Sequence, residues 1–289
     1  GKTAVTTHDD DFIENFFTCN THDTLLFVTD RGQLHWLKVY RIPEGSRVAK
    51  GKAVVNLINL VADEKICSVI PTTDFSEDKG LVLFTQKGIV KRTNLSEFSN
   101  IRSNGVRAIV LGEEDTLITA HIANKDIRYL FIVTKLAQCI KFEIEHIREQ
   151  GRSTRGVRGI KFKHDSDEVI DANIIANNKQ EILMIAEKGI GKRTDASEYR
   201  LTNRGGSGVI AMKMTKKTGK YIVGCLMVDE TMDMMALTKA GKMIRVDMQT
   251  ISKSSRNTSG VYIVKGDEVA SVSRCPKQPE ADDESTDKE

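Results

Sequence analysis

The sequence predicts an all-β fold: an array of blade-like units arranged around an axis. Three observations point there. Glycines at positions 51, 105, 156, 208 and 260 stand 51 to 54 residues apart, with Gly1 in phase 50 residues ahead of Gly51. A self-similarity of that length marks an array of like supersecondary units. The runs between the glycines are short, β-branched and bounded by Gly, Asn, Asp and Lys, as strands are. Nearly every unit also carries a tight-hairpin signal ending in glycine, such as Glu187-Lys188-Gly189.

The unit from Gly156 to Gly208 shows the elements in order. A short apolar run over 156–162 opens it, and the polar break 164–168 follows. A second run covers 169–176 and ends at the turn-like Asn177-Asn178-Lys179. A third, 182–186, enters the hairpin, and a fourth begins at Ile190. The hairpin recurs at Thr29–Gly32, Thr85–Gly88 and Thr238–Gly241. The copy at Thr134–Ala137 lacks the glycine and predicts a different turn. Stretches such as Leu95–Phe98 and Ala196–Tyr199 read as one helical turn or an irregular crossover. About four strands per unit favour blades over a sandwich array or two separate barrels.

Composition narrows the class. At 289 residues the chain is long for one ordinary core, but a repeat array is not bound by that limit, and 39% hydrophobic residues suffice for small blade cores. No apolar run approaches the roughly 18 residues of a membrane span, and no secretory signal is present. The chain opens in mid-motif at Gly1, so further residues are expected before it. Cys19, Cys67 and Cys225 fall in one kind of strand in three units, without CxxC spacing or nearby histidines; buried thiols in a reducing cytoplasm are expected. Charge divides the chain. Residues 276–289 carry two lysines and six acids, a net of −4, which marks an acidic tail expected to be disordered. Residues 1–275 hold 41 basic and 34 acidic residues, a net of +7. A basic body with an acidic tail points to an anionic partner, with the tail either its internal competitor or merely solubilising.

The strongest constellation is the basic segment before each glycine. An arginine stands three or four residues ahead of it: Arg47, Arg102, Arg152, Arg204 and Arg256. Around these lie Lys50, Lys52, Arg107, Arg155, Arg158 and Lys213. Small hydroxyl, Asn and Gly residues let backbone N–H groups approach phosphate, while Arg and Lys supply charge. Few aromatics interleave, which argues against base stacking, and nothing reads as a recognition helix. Duplex DNA held by its backbone is the expected ligand. One such turn would be an ordinary exposed loop; five in phase are not. A second basic set, Lys91-Arg92, Lys141, Lys192-Arg193 and Arg245, either extends the phosphate path or protects strand edges.

Catalytic constellations are not found: there is no phosphate loop, no HExxH and no GxSxG. The acidic groups Asp9–Asp11, Asp63-Glu64, Glu113–Asp115 and Asp167-Glu168 recur once per unit, between strands, so turn chemistry explains them better than metal binding. The six histidines form no recognisable nucleophile system, and Trp36 reads as a blade-core residue.

Four segments together, in order and in phase, carry a family resemblance: 55–58 (Val-Asn-Leu-Ile), 154–161 (Thr-Arg-Gly-Val-Arg-Gly-Ile-Lys), 188–194 (Lys-Gly-Ile-Gly-Lys-Arg-Thr) and 256–261 (Arg-Asn-Thr-Ser-Gly-Val). Residues 1–275 resemble the C-terminal domains of DNA gyrase A subunits. The resemblance implies a six-bladed β-pinwheel, propeller-like with strands exchanged between neighbours, its first blade incomplete in this chain. It implies duplex DNA wrapped on the rim and a positively crossed segment presented to the core of a bacterial cytoplasmic, nucleoid-associated A2B2 topoisomerase. There, together with the gyrase B subunit, ATP hydrolysis introduces negative supercoils. No cofactor is implied for this fragment, since ATP and Mg belong to other parts of that enzyme. The family's catalytic tyrosine lies in another domain, so none of the five tyrosines here inherits its role. Of the family's Gln-Arg-Arg-Gly-Gly-Lys-Gly type box only Gly1 remains, and Arg204–Gly208 is its closest echo. The equivalent domain of topoisomerase IV and a protein-interaction propeller without a nucleic-acid role are the alternatives.

Overall fold

Strands interrupted by single 3-10 turns make up all the regular structure in the computed structural model, which describes residues 19–43, 57–100, 102 and 104–277. The strands are of three kinds. Hairpins pair β1 (Thr24–Thr29) with β2 (Gln33–Lys38), β4 (Gly80–Thr85) with β5 (Ile89–Asn94), and β8 (Tyr129–Thr134) with β9 (Gln138–Glu143). Two more pair β12 (Glu181–Ala186) with β13 (Ile190–Asp195), and β16 (Met232–Thr238) with β17 (Met243–Asp247). Longer single strands are β3 (Ile66–Thr72), β7 (Leu117–Ala123), β11 (Val169–Ile175), β15 (Ile222–Val228) and β19 (Val269–Pro276). Two-residue strands follow four of the periodic glycines: β6 (Val106–Arg107), β10 (Val157–Arg158), β14 (Val209–Ile210) and β18 (Val261–Tyr262).

These assemble into five antiparallel sheets, with orders β3-β1-β2-β6, β10-β5-β4-β7, β11-β8-β9-β14, β15-β12-β13-β18 and β17-β16-β19. They are the blades of an all-β propeller. The four strands of a sheet do not come from one sequence repeat. From the second hairpin on, the chain returns to the previous blade for a two-residue strand, then rejoins its own blade in the next long strand. The resemblance implied this exchange; the repeat length alone did not.

The first strand of each hairpin is a continuous apolar run, because it is covered on both faces. Alternation sends its residues to different cores. Leu81 and Leu83 pack toward the first blade with Leu26, Val28 and Leu117, whereas Val82 and Phe84 pack toward the third with Leu130 and Ile132. Phe131 and Val133 then meet Ile182 and Met184, and Leu183 and Ile185 meet Met234 and Ala236. Each large side chain fully buried this way contributes about 1.5–3 kcal/mol. Trp36, as expected, packs on the core between the first two blades, with its ring 6.1 Å from that of Phe75.

The long strands stand side by side around the axis and are joined by side chains. Ser68 Oγ accepts from Ala120 N (3.0 Å), the His121 ring bonds Ala172 O (2.7 Å), Asn173 Nδ2 donates to Cys225 O (2.9 Å), and Arg274 Nη1 donates to Met227 O (3.1 Å). Of the cysteines expected in one kind of strand, Cys67 and Cys225 lie in such strands, but Cys19 precedes β1 and is exposed. Burial pushes the Cys139 thiol up to about 12.

The hairpin turns are nearly identical. Gly32, Gly88, Gly189 and Gly241 take φ of 76–91°, and each donates its N–H to the residue three before it. Thr29, Thr85, Thr134 and Thr238 use Oγ1 to accept the N–H four residues on, at 3.0–3.2 Å. The third hairpin does not differ as expected. Ala137 adopts φ of 67° and keeps the same bond to Thr134 O at 3.1 Å. Its methyl is buried in the core between the third and fourth blades, which offsets the backbone cost. The acidic groups serve these turns. Asp115 accepts Lys87 N, Asp167 accepts Leu136 N and Asp267 accepts Ala240 N, each at 3.0 Å. Asp9–Asp11 lie outside the described residues.

Ala137→Gly is therefore expected to leave stability within about 1 kcal/mol, as relief of strain and loss of one buried methyl cancel. Gly189→Ala would set a Cβ onto the Val264 carbonyl in a left-handed turn and should cost roughly 2–4 kcal/mol. Urea unfolding of the two variants checks both.

Candidate nucleic-acid interface

Each described basic loop is anchored by its glycine. Gly105, Gly156, Gly208 and Gly260 have φ of 77°, 85°, 68° and 87°, a conformation L side chains rarely adopt. No Cβ fits at any of them. At Gly156 it would lie 2.6 Å from Val90 O and at Gly105 2.7 Å from the His35 ring. At Gly208 and Gly260 it would overlap the Cys139 and Gly191 carbonyls. The glycine thus lets its loop sit directly on the hairpin of the blade before.

Neighbouring loops are also stitched to one another. Val110 N donates to Thr154 O (2.8 Å), Lys161 N to Gly206 O (2.9 Å) and Lys213 N to Thr258 O (3.1 Å). The four loops therefore form one strip across the first four blades. It carries Arg102, Arg152, Arg204 and Arg256 in equivalent places, with Arg107, Arg155, Arg158 and Lys213 exposed beside them. Arg47, Lys50 and Lys52 lie outside the described residues.

The arginines are not alike. Arg102, Arg107, Arg155 and Arg158 are exposed. Arg102, Arg107 and Arg152 converge with Asn100 and Ser153 on an open groove of about 420 Å³ between the first two loops. Arg204 and Arg256 are half-buried, and each spends one arm on the blade before: Arg204 Nη1 donates to Arg158 O (2.6 Å), Arg256 Nη1 to Ile210 O (2.7 Å). A guanidinium has five N–H donors, so each keeps others for an anionic oxygen.

The second basic set follows neither of its two expected readings. Lys91 and Lys192 are fully buried beneath the loops. Lys91 Nζ donates to Ala108 O and Arg152 O, both at 2.7 Å; Lys192 Nζ donates to Ser255 O at 3.0 Å and to Arg256 O. The equivalent position holds His35 in the first blade and Ile140 in the third. Lys141, one position on, is buried with Nζ on Ala196 O at 2.8 Å. Arg193 pairs with Glu181 (2.8 Å) and Arg245 with Asp233 (2.9 Å). These groups hold blades and loops together. Strand alternation gave the available signal, since it turns one of each adjacent basic pair inward.

The sequence matches the family of the DNA gyrase C-terminal domain, beta-propeller, over residues 23–73, 81–124, 128–176, 180–228 and 233–276. The chain belongs to this DNA gyrase C-terminal domain family. It is 58% identical over 318 residues to the DNA gyrase A subunit of Campylobacter fetus, covering 98% of the chain and 37% of that protein. It is 51% identical over 282 residues to that of Helicobacter pylori (strain ATCC 700392 / 26695), covering 97% of the chain and 34% of that protein. The chain thus spans little more than a third of the curated relatives it matches. A solved DNA gyrase A C-terminal domain superposes with a TM-score of 0.78 at 27% identity, over 95% of this chain and 89% of that one. The C-terminal domain of DNA topoisomerase IV, at 22% identity and a TM-score of 0.81 over 94% and 84% of the two chains, shares the fold.

Burial lowers both Lys91 and Lys192 to about 8 from 10.5. Between those values the unfolded chain still holds protons that the folded chain has released, so raising pH favours folding. Urea midpoints should therefore gain a contribution between pH 8 and pH 10 that Lys91→Met and Lys192→Met lack. An identical pH dependence in wild type and variants would count against it.

Proposed function

We propose that this chain binds duplex DNA along the strip of basic loops and wraps it around the blade rim, as the C-terminal part of a gyrase A subunit. The stitched strip is the observation that supports this: equivalent arginines, held at equivalent places on successive blades, offer a curved path of phosphate donors. Arg102, Arg107, Arg152, Arg155, Arg158, Arg204, Lys213 and Arg256 contact phosphates, and Arg47, Lys50 and Lys52 join them by their phase in the repeat. No helix of the described residues is long and apolar enough to cross a membrane. The setting is the bacterial cytoplasm, where the wrapped segment is passed by an A2B2 assembly of gyrase A and B subunits. ATP turnover and strand cleavage reside in the other parts of that assembly. Residues 1–275 form the wrapping body and 276–289 an acidic tail, whose first residue, Pro276, still closes β19 against Met232. Gyrase is favoured over topoisomerase IV by the identities of 51–58% to gyrase A subunits.

Affinity measured over a salt series tests the reading. Arg102→Ala, Arg152→Ala and Arg155→Ala should each lower the salt slope by about one and weaken two unrelated duplexes alike. Binding that loses affinity on only one duplex would show base readout at that arginine. Affinity insensitive to salt would point to a protein-interaction propeller instead.

A further inference from the structure

The four two-residue strands hold equivalent places on the strip. Their second residues oppose Gln33, Ile89, Gln138 and Ile190, the first residue of each hairpin's second strand. On the first two blades these residues are Arg107 and Arg158; on the next two they are Ile210 and Tyr262. Ile210 and Tyr262 each leave 50% of their surface in water, and Val261 beside them leaves 44%. The fold does not need an apolar side chain here, since an arginine occupies the same place on two other blades. Nor is the backbone beneath loose. Arg256 Nη1 holds the Ile210 carbonyl at 2.7 Å, just as Arg204 Nη1 holds that of Arg158 at 2.6 Å. The rim thus changes character half-way along, from exposed cations to exposed apolar side chains.

Resting on the DNA reading above, we propose that the third and fourth blades act as a wedge arc. Ile210 and Tyr262 press on the deoxyribose and base edges of the inward-facing groove of the bent duplex. Apolar side chains placed there unstack and kink base steps. Pyrimidine–purine steps yield more readily than A-tracts, so this arc prefers flexible sequence at positions where no base is hydrogen-bonded. Arg107 and Arg158 grip phosphates on the other arc without regard to sequence.

The test compares two duplexes of equal length, one with TA steps a helical turn apart and one an A-tract. Affinity is measured over a salt series and bending by end-to-end energy transfer. Wild type should prefer and bend the flexible duplex. Ile210→Ala and Tyr262→Ala should each reduce that preference about fourfold, the worth of one buried methylene, at unchanged salt slope and thermal midpoint. Ile210→Arg and Tyr262→Arg, which install the residue of the first two blades, should abolish the preference and raise the slope by about one. Arg107→Ala and Arg158→Ala should lower the slope and keep the preference. Absence of any preference in wild type, or its survival in both alanine variants, overturns the wedge. If Arg107→Ala and Arg158→Ala still lower the slope, the backbone reading stands alone; if they too change nothing, that reading has failed as well. Alanine variants that lose contact with the gyrase core while binding and bending DNA normally would make Ile210 and Tyr262 a protein contact and also overturn the proposal.

Discussion

One close approach governs the molecule: a left-handed glycine seated against the hairpin of the blade before it. Gly156, Gly208 and Gly260 each meet a backbone carbonyl, and Gly105 meets the His35 ring, in space where a Cβ cannot go. From that contact the chain has only two residues in which to pair with the hairpin before it must turn toward its own blade. The loop ahead of the glycine is thereby delivered to the rim, and the residues behind it are delivered to the next long strand. The repeat length follows, since each unit must leave its blade, touch the previous one and return.

Charge is divided by the same geometry. Lysines 91 and 192 lie under the loops and satisfy carbonyl oxygens that the tight turn leaves pointing inward. A hydrogen bond to a charged donor is worth about 1.5–3 kcal/mol, but burying the ammonium opposes it, and the depressed lysine values record that opposition. What these lysines secure is loop position. The arginines can then divide their donors between the protein and whatever lies outside. The third blade has no such lysine, and its loop instead carries Gly205 and Gly206, whose peptide groups bond Gly159 and Lys161 of the preceding loop.

Much of this was legible in the sequence because the repeating features are the structural ones. The glycine period, the apolar hairpin strands and the turn acids each appear where they were expected. Three things were not legible in the residue pattern itself. The exchange of β6, β10, β14 and β18 was implied by the family resemblance alone, since it is a long-range pairing and a two-residue strand has no periodicity to detect. Ala137 reads as a broken hairpin, because propensity ignores the methyl's burial between two blades. Alternation turns one of each adjacent basic pair inward, but nothing in the sequence reveals the carbonyl that waits for the buried lysine across a blade. The arginines of the described loops keep the phase of the repeat, but their environments differ. The bonds of Arg204 and Arg256 to the previous blade depend on residues 46 positions away.

The exchanged strands have a mechanical consequence. A stack of independent blades would resist a tangential pull only by the friction of packed side chains, and its weakest junction would peel first. Here each outer strand belongs by sequence to one unit and by pairing to another, and backbone bonds tie adjacent loops as well. A pull along the rim loads those bonds in shear, several at a time and across more than one junction. The rim behaves as woven fabric does, taking strain along its length without separating at a seam.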